Sequence, residues 1–236
     1  IKYSREGEVE WARSVGGSGY DYIESEASTS DGGYIAGGYF YSDEIKVGDY
    51  TLTKNGSCDG MIIKYSREGE VEWARSVGGS SDDQITTVAE TSDGGAIAGG
   101  DFRSSNIQVG DYTLTNSSNN SYDGMIIKYS REGEVEWARS IGGSSSEEIT
   151  SASSTKDGGY IVGGYFGSDS IQVGDYVLYN NSISPSYASY YDGIIIKYSR
   201  EGEVEWARSV GGSSSDYIYY ENINNLLSKW REVAGT

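Results

Sequence analysis

Glu6, Glu8 and Glu10 crowd three carboxylates into one short stretch, and a carboxylate pair flanking a glycosidic bond is the acid and base of glycoside hydrolysis. The stretch recurs. Residues 1–17, IKYSREGEVEWARSVGG, return at 63–79, 127–143 and 196–212 with one change, Ile141 where the other copies carry Val. A catalytic pair built from these glutamates would exist four times over, so they read as the solvated face of a repeated strand. A hydrolase would need a carboxylate pair unique to one repeat, and the sequence singles out none. The chain also has no histidine, which removes Ser/His/Asp and Cys/His catalysis and the commonest zinc and iron ligand sets. No residue is assigned a catalytic role, and the chain reads as a non-enzyme.

Oxygen ligands for calcium cluster at 80–83 and 144–148, but their spacing fits neither an EF-hand loop nor a nonapeptide calcium repeat. Neither a metal nor a cofactor is expected. The turns at 29–33, 91–95 and 155–159 loosely resemble the Asp-box of sialidase-type propellers, without its Trp, and read as hairpin turns. The one cysteine, Cys58, falls where the later repeats have Tyr122 and Tyr191. It forms no disulfide within the chain and looks like a drifted tyrosine. Sequons at Asn55, Asn116, Asn119 and Asn180 are what a chain rich in Ser and Asn yields by chance.

A net charge of -18 argues against nucleic acid, whose binding depends on Lys and Arg at phosphates, and against an anionic membrane surface. It suits a soluble, self-repelling surface and leaves cations or basic partners as the remaining option. No stretch approaches the eighteen apolar residues of a membrane span, so membrane insertion is not expected. The chain opens within a repeat at Ile1, with neither a starting Met nor a signal peptide, which suggests a fragment of a longer product.

The elements that position these groups follow from the repeats. In the unit that begins at 84, residues 84–91 read as a strand, Ser92-Asp93-Gly94 as a turn, and 96–102 as the returning strand. The Gly99-Gly100 pair within that strand marks a close approach by a neighbour. Residues 107–114 read as an extra strand or tight loop, 125–130 as a strand, 131–133 as a turn and 135–141 as the last strand. Alternation places Val135, Trp137, Arg139 and Ile141 on one face. Trp11, Trp73, Trp137 and Trp206 are therefore read as packing anchors.

Four antiparallel strands per unit, repeated, point to an all-β fold of β-propeller-like repeats. The run 59–100, DGMIIKYSREGEVEWARSVGGSSDDQITTVAETSDGGAIAGG, resembles the bacterial SBBP-type β-propeller repeat: an Asp-bearing strand start, a Gly turn before a Trp strand, a Gly-Gly-Ser break and a Gly-rich returning strand. The resemblance holds in register from 1 to about 220, apart from the lengthening around 47–50, 109–112 and 173–176, and it implies fold, not activity. The single repeat domain 1–236 divides into a half blade at 1–17, blades at 18–79, 80–143 and 144–212, and a terminal strand and short helix at 213–236. The first strand of the last segment is placed at 216–222 and the helix at 222–231, with Leu226, Leu227 and Trp230 on its apolar face. Residues 232–236, EVAGT, echo 34–38, so the two ends either build a fourth blade or leave an open segment that self-association completes.

The repeats differ mainly at 51–58, 113–122 and 177–191, which grow from eight to ten to fifteen residues and gain Tyr, Asn and Ser. That is the composition of adaptable recognition loops. The first strands of the units vary as well. Tyr50, Tyr112, Tyr122, Tyr176, Tyr179, Tyr187, Tyr190 and Tyr191 are the expected ligand-binding residues. The function expected is a non-catalytic module of a bacterial surface or secreted protein that binds protein or glycan, with a purely structural spacer as alternative and a propeller glycoside hydrolase behind both.

Overall fold

The computed structural model describes residues 1–118, 120–181 and 190–219, and every regular element among them is a strand. The chain opens with a hairpin, β1 (Lys2–Tyr3) and β2 (Val9–Trp11). Three units of one design follow. In the first, β3 (Asp21–Ser28) and β4 (Tyr34–Phe40) lead through β5 (Glu44–Val47) and β6 (Tyr50–Thr53) to β7 (Asp59–Tyr65) and β8 (Val71–Val77). The second runs β9 (Asp83–Glu90), β10 (Ala96–Phe102), β11 (Asn106–Val109), β12 (Tyr112–Thr115), β13 (Asp123–Tyr129) and β14 (Val135–Ile141). The third runs β15 (Glu147–Ser154), β16 (Tyr160–Phe166), β17 (Ser170–Val173), β18 (Tyr176–Tyr179), β19 (Asp192–Tyr198) and β20 (Val204–Val210).

Each unit is one antiparallel sheet, in the orders β3-β4-β7-β8, β9-β10-β13-β14 and β15-β16-β19-β20, with a separate two-stranded hairpin beside it. That hairpin revises the expectation of one strand or a loop at 107–114. Gly110, at φ 58°, supplies a left-handed turn that most side chains resist, so the segment folds back and Ile107 pairs with Leu114. The hairpin packs on the outer strand of its own sheet. Ala138 is consequently buried although it points away from Trp137, where alternation alone leaves it outside.

The core lies between units. β9 packs on β3 and β4, and β15 packs on β9 and β10. The glycine-rich returning strands permit this: a Cβ on Gly37 would come within 2.6 Å of Val88, and one on Gly99 within 2.6 Å of Ile149. The tryptophans then pin the outer strands. Trp73 is 3 % exposed, donates from its indole to the Arg131 carbonyl at 2.9 Å and stacks on Tyr129 with ring centres 5.8 Å apart. Its ring lies against the turn at Gly133, where a Cβ would sit 2.6 Å away. Trp137 makes the same set of contacts to Arg200, Tyr198 and Gly202, and Trp11 to Arg67, Tyr65 and Gly69. Trp206 is half-buried against a cluster of Ile161, Ile195 and Ile218.

A buried lysine under each TxDGG turn was not foreseen. Lys64, Lys128 and Lys197 sit at the end of the strand beside the turn and reach Asp31 and Glu72, Asp93 and Glu136, and Asp157 and Glu205 respectively. The turn aspartates are thus structural.

After β20 the chain enters a fourth first-strand position. The Asp216 amide donates to the Tyr191 carbonyl at 2.7 Å, as the Glu147 amide does to Tyr122. Residues 216–219 form no regular strand there, and the remainder of the terminal strand, the helix at 222–231 and the echo at 232–236 lie outside the described residues. Among the described residues the sheets do not join into a closed sheet.

Candidate functional site: an acidic, tyrosine-walled pocket

β9 begins where β10 ends, with Asp83 opposite Phe102, and β13 begins at that same end, with Asp123 opposite Phe102. The variable segments therefore open at one end of the units. The acidic positions there first hold the backbone. Asp83 accepts from the Gly79 amide at 2.7 Å, from the Arg103 and Ser104 amides and from the Ser104 hydroxyl at 2.6 Å. Glu147 accepts from the Gly143 amide and from the amide and hydroxyl of Ser168. Burial nevertheless raises Glu147 to about 7, against the lowering effect of the Ser168 hydrogen bonds. Within the oxygen clusters at 80–83 and 144–148, Asp83 and Glu147 are thus engaged as clamps, and no group of three or more acidic or thiol side chains among the described residues is arranged to hold a metal.

One residue further into the sheets, cross-strand pairs place Tyr22 opposite Tyr39, Gln84 opposite Asp101, and Glu148 opposite Tyr165. Between the second and third units the latter two pairs line an open pocket of about 350 Å³, together with Tyr122, Ser146, Glu147 and Tyr191. Asp101 is 5 % exposed. Burial, and then the charges of Glu148, Asp83 and Asp82, push its carboxyl well above the usual range. Glu148 accepts from the Tyr165 hydroxyl, and burial raises its carboxyl too. The Tyr165 ring meets Tyr191 and Tyr217 edge-on at 5.1 and 4.9 Å. Outside this lining, the Arg103 guanidinium lies 5.8 Å from the Tyr122 ring centre and 3.7 Å from Asp82.

Asp101 and Glu148 are a carboxylate pair found at one junction alone, the feature that sequence reasoning did not single out. It straddles two units, so inspecting one repeat at a time hides it. Aligning the units exposes it: position 101 is Tyr39 and Tyr165 elsewhere, and position 148 is Tyr22, Gln84 and Tyr217.

The expected binding tyrosines separate into groups. Tyr122 and Tyr191 line the pocket. Tyr50, Tyr112 and Tyr176 instead donate to the carbonyls of Glu72, Glu136 and Glu205 at 2.7, 2.6 and 2.8 Å, tying each small hairpin to the start of the outer strand, away from the pocket. Tyr179 is exposed on β18, Tyr190 is half-buried with its carbonyl accepting from Asn180, and Tyr187 lies outside the described residues. Cys58 takes the Tyr122 position at the preceding junction. It is fully buried, and desolvation pushes its thiol up to about 11, which leaves it inert as a nucleophile.

No family model matches the chain, and no curated protein does. Among solved structures it is similar to a protein of unknown function from Bacteroides caccae at 11 % identity, over 80 % of this chain and 82 % of that one, with a TM-score of 0.25.

Proposed function

We propose that the chain is a non-catalytic recognition module, built as propeller-like blades, that takes a protein or glycan ligand at the end where the variable segments open. One observation carries this reading: on near-identical scaffolds, the pocket between the second and third units is lined by Gln84, Asp101 and Glu148 at positions where the first unit has Tyr22 and Tyr39. In this reading β3, β9 and β15 are the inner strands, the SBBP-type resemblance describes the scaffold, and the ends complete a further blade or pair with another copy. An extracellular or cell-surface setting in a bacterium suits such a module.

The pair Asp101 and Glu148 favours a second reading, a glycoside hydrolase. An acid and base require environments that drive their pKa values apart, whereas burial raises both carboxyls here, so recognition is the better account. The test is binding of the immobilised chain to arrays of glycans and peptides, beside turnover on a panel of glycosides. Saturable binding that is lost in a Gln84→Tyr/Asp101→Tyr variant, which carries the residues of the first unit, supports the module. Binding to nothing leaves the structural spacer, and turnover abolished by Glu148→Gln establishes the hydrolase.

A further inference from the structure

Other buried charges among the described residues have partners, Asp123 through one of its oxygens only. Lys128, fully buried, lies 3.1 Å from Asp93 and 3.0 Å from Glu136, and Asp83 collects the amide and hydroxyl donors described above. Asp101 departs from that practice. It is 5 % exposed where they are fully buried, yet among the described residues no donor stands within hydrogen-bond distance of its carboxylate and no cation pairs with it, while Glu148, Asp83 and Asp82 add like charge. A carboxylate in that setting is unfavourable unless something compensates it. The fold does not require it, because Tyr39 and Tyr165 occupy its position in the other two units.

Three aromatic side chains, Tyr122, Tyr165 and Tyr191, share the pocket with Asp101, and the faces of such rings attract cations. Arg103 already uses one of them, lying over Tyr122 while it pairs with Asp82. A divalent metal is poorly served, since calcium takes six to eight oxygens and no group of three acidic side chains converges among the described residues. The volume, about 350 Å³, is at the low end of small-molecule sites, roughly 300–1,000 Å³.

We propose that this pocket binds an organic cation, the ammonium or guanidinium end of an extended apolar stem, with Asp101 and Glu148 meeting the charge and Tyr122, Tyr165 and Tyr191 enclosing the stem. The proposal rests on the recognition reading and narrows it to a basic ligand. A lysine or arginine side chain of a protein partner and a free alkyl diamine share this chemistry.

The test is calorimetric titration of the whole chain with 1,5-diaminopentane, arginine amide and a short lysine-containing peptide, beside calcium chloride and a neutral oligosaccharide. Saturable binding of at least one cationic probe is expected, weakened tenfold or more by Asp101→Asn and abolished by Asp101→Tyr, which fills the site with the residue of the sister units. A peptide bound more than tenfold tighter than the diamine assigns the site to a protein partner, and the reverse assigns it to free amines; both support the proposal. In the absence of ligand Asp101→Asn is expected to melt higher than the parent protein, a gain that a purely structural role for this carboxylate would not produce. Cation binding undiminished by Asp101→Asn, displacement by calcium alone, or failure of every cationic probe overturns the proposal. Neutral glycan binding that survives Asp101→Asn overturns it while leaving the recognition module standing, and failure of all ligands on the arrays as well takes both down.

Discussion

The junction of the first and second units and the junction of the leading hairpin with the first unit are made from the same seventeen residues, yet they differ in what lies opposite. At the former, Trp73 is 3 % exposed and Ile85 fully buried. At the latter, Trp11 reaches the same partners but is only partly buried, and Ile23, the counterpart of Ile85, is 44 % exposed. The turn glycines of the two junctions, Gly133 and Gly69, are pressed alike, a Cβ on either lying 2.6 Å from the Trp73 or Trp11 ring, whereas a Cβ on Gly7, in the turn of the leading hairpin itself, would meet nothing within 4 Å. β1 and β2 form a two-stranded sheet by themselves, so no returning strand packs across Ile23, and a groove of about 530 Å³ runs between Trp11, Val15, Ile23, Tyr34 and Ala36. Identical sequence fixes local shape here, while stability is decided by the neighbour that covers it.

That contrast can be broken by measurement, starting with the largest effect. Trp73→Ala is expected to cost about 3–5 kcal/mol in chemical denaturation, the range for deleting a buried large aromatic, and Trp11→Ala roughly 1 kcal/mol, because part of that ring is already wet. Equal losses would mean that both junctions bury the same surface in solution. Ile85→Ala should follow at about 2–5 kcal/mol, against well under about 1 kcal/mol for Ile23→Ala. Both Gly133→Ala and Gly7→Ala place a side chain at positive φ, near 80°, a cost of about 1–2 kcal/mol. Gly133→Ala should exceed Gly7→Ala by a further ~1–3 kcal/mol, since it also overpacks against Trp73.

The smallest expected effect is common to all units and sharpens the comparison, because the groups that hold each turn carboxyl down lie within its own unit. Hydrogen bonds from Thr29 and Gly33, with Lys64 adding to them, hold Asp31 down at about 2, and Thr155, Gly159 and Lys197 do the same for Asp157. A depressed carboxyl stabilises the fold above its unfolded value, near 3.9, and that contribution is lost as pH falls from about 4 towards 2. Replacing Asp31 or Asp157 by Asn should flatten the stability profile over that window alone. A loss centred near neutral pH would contradict this assignment.

Strands 84–91 and 135–141, their turns and the anchoring role of the tryptophans were legible in the sequence, because alternation and glycine placement are local signals and the repeats state them several times. Three features were not. Lys64, Lys128 and Lys197 lie among apolar strand residues, and only the folded turn brings two carboxylates to each. Tyr50, Tyr112 and Tyr176 stand out by composition, which carries no sign that their hydroxyls donate to the backbone carbonyls of Glu72, Glu136 and Glu205. Asp101 and Glu148 are 47 positions apart and meet only because the third unit's first strand lies across the second unit, a relation that single-unit patterns do not carry. Tyr122 and Tyr191 could be anticipated because they close the segments that vary.

Those same tyrosine hydroxyls bear on how a chain with several interchangeable strands avoids pairing with itself wrongly. β8 is the last strand of its sheet, and an open strand margin is a template for any similar strand, of which β14 and β20 are near copies. The pairing of β7 and β8 skips at Lys64/Tyr65, leaving Glu72 bulged out of register, and the Tyr50 hydroxyl occupies the carbonyl of that very residue. Each unit thus carries its own chaperone for its outer margin: a bulge that bends the strand away and a phenol that covers its acceptor.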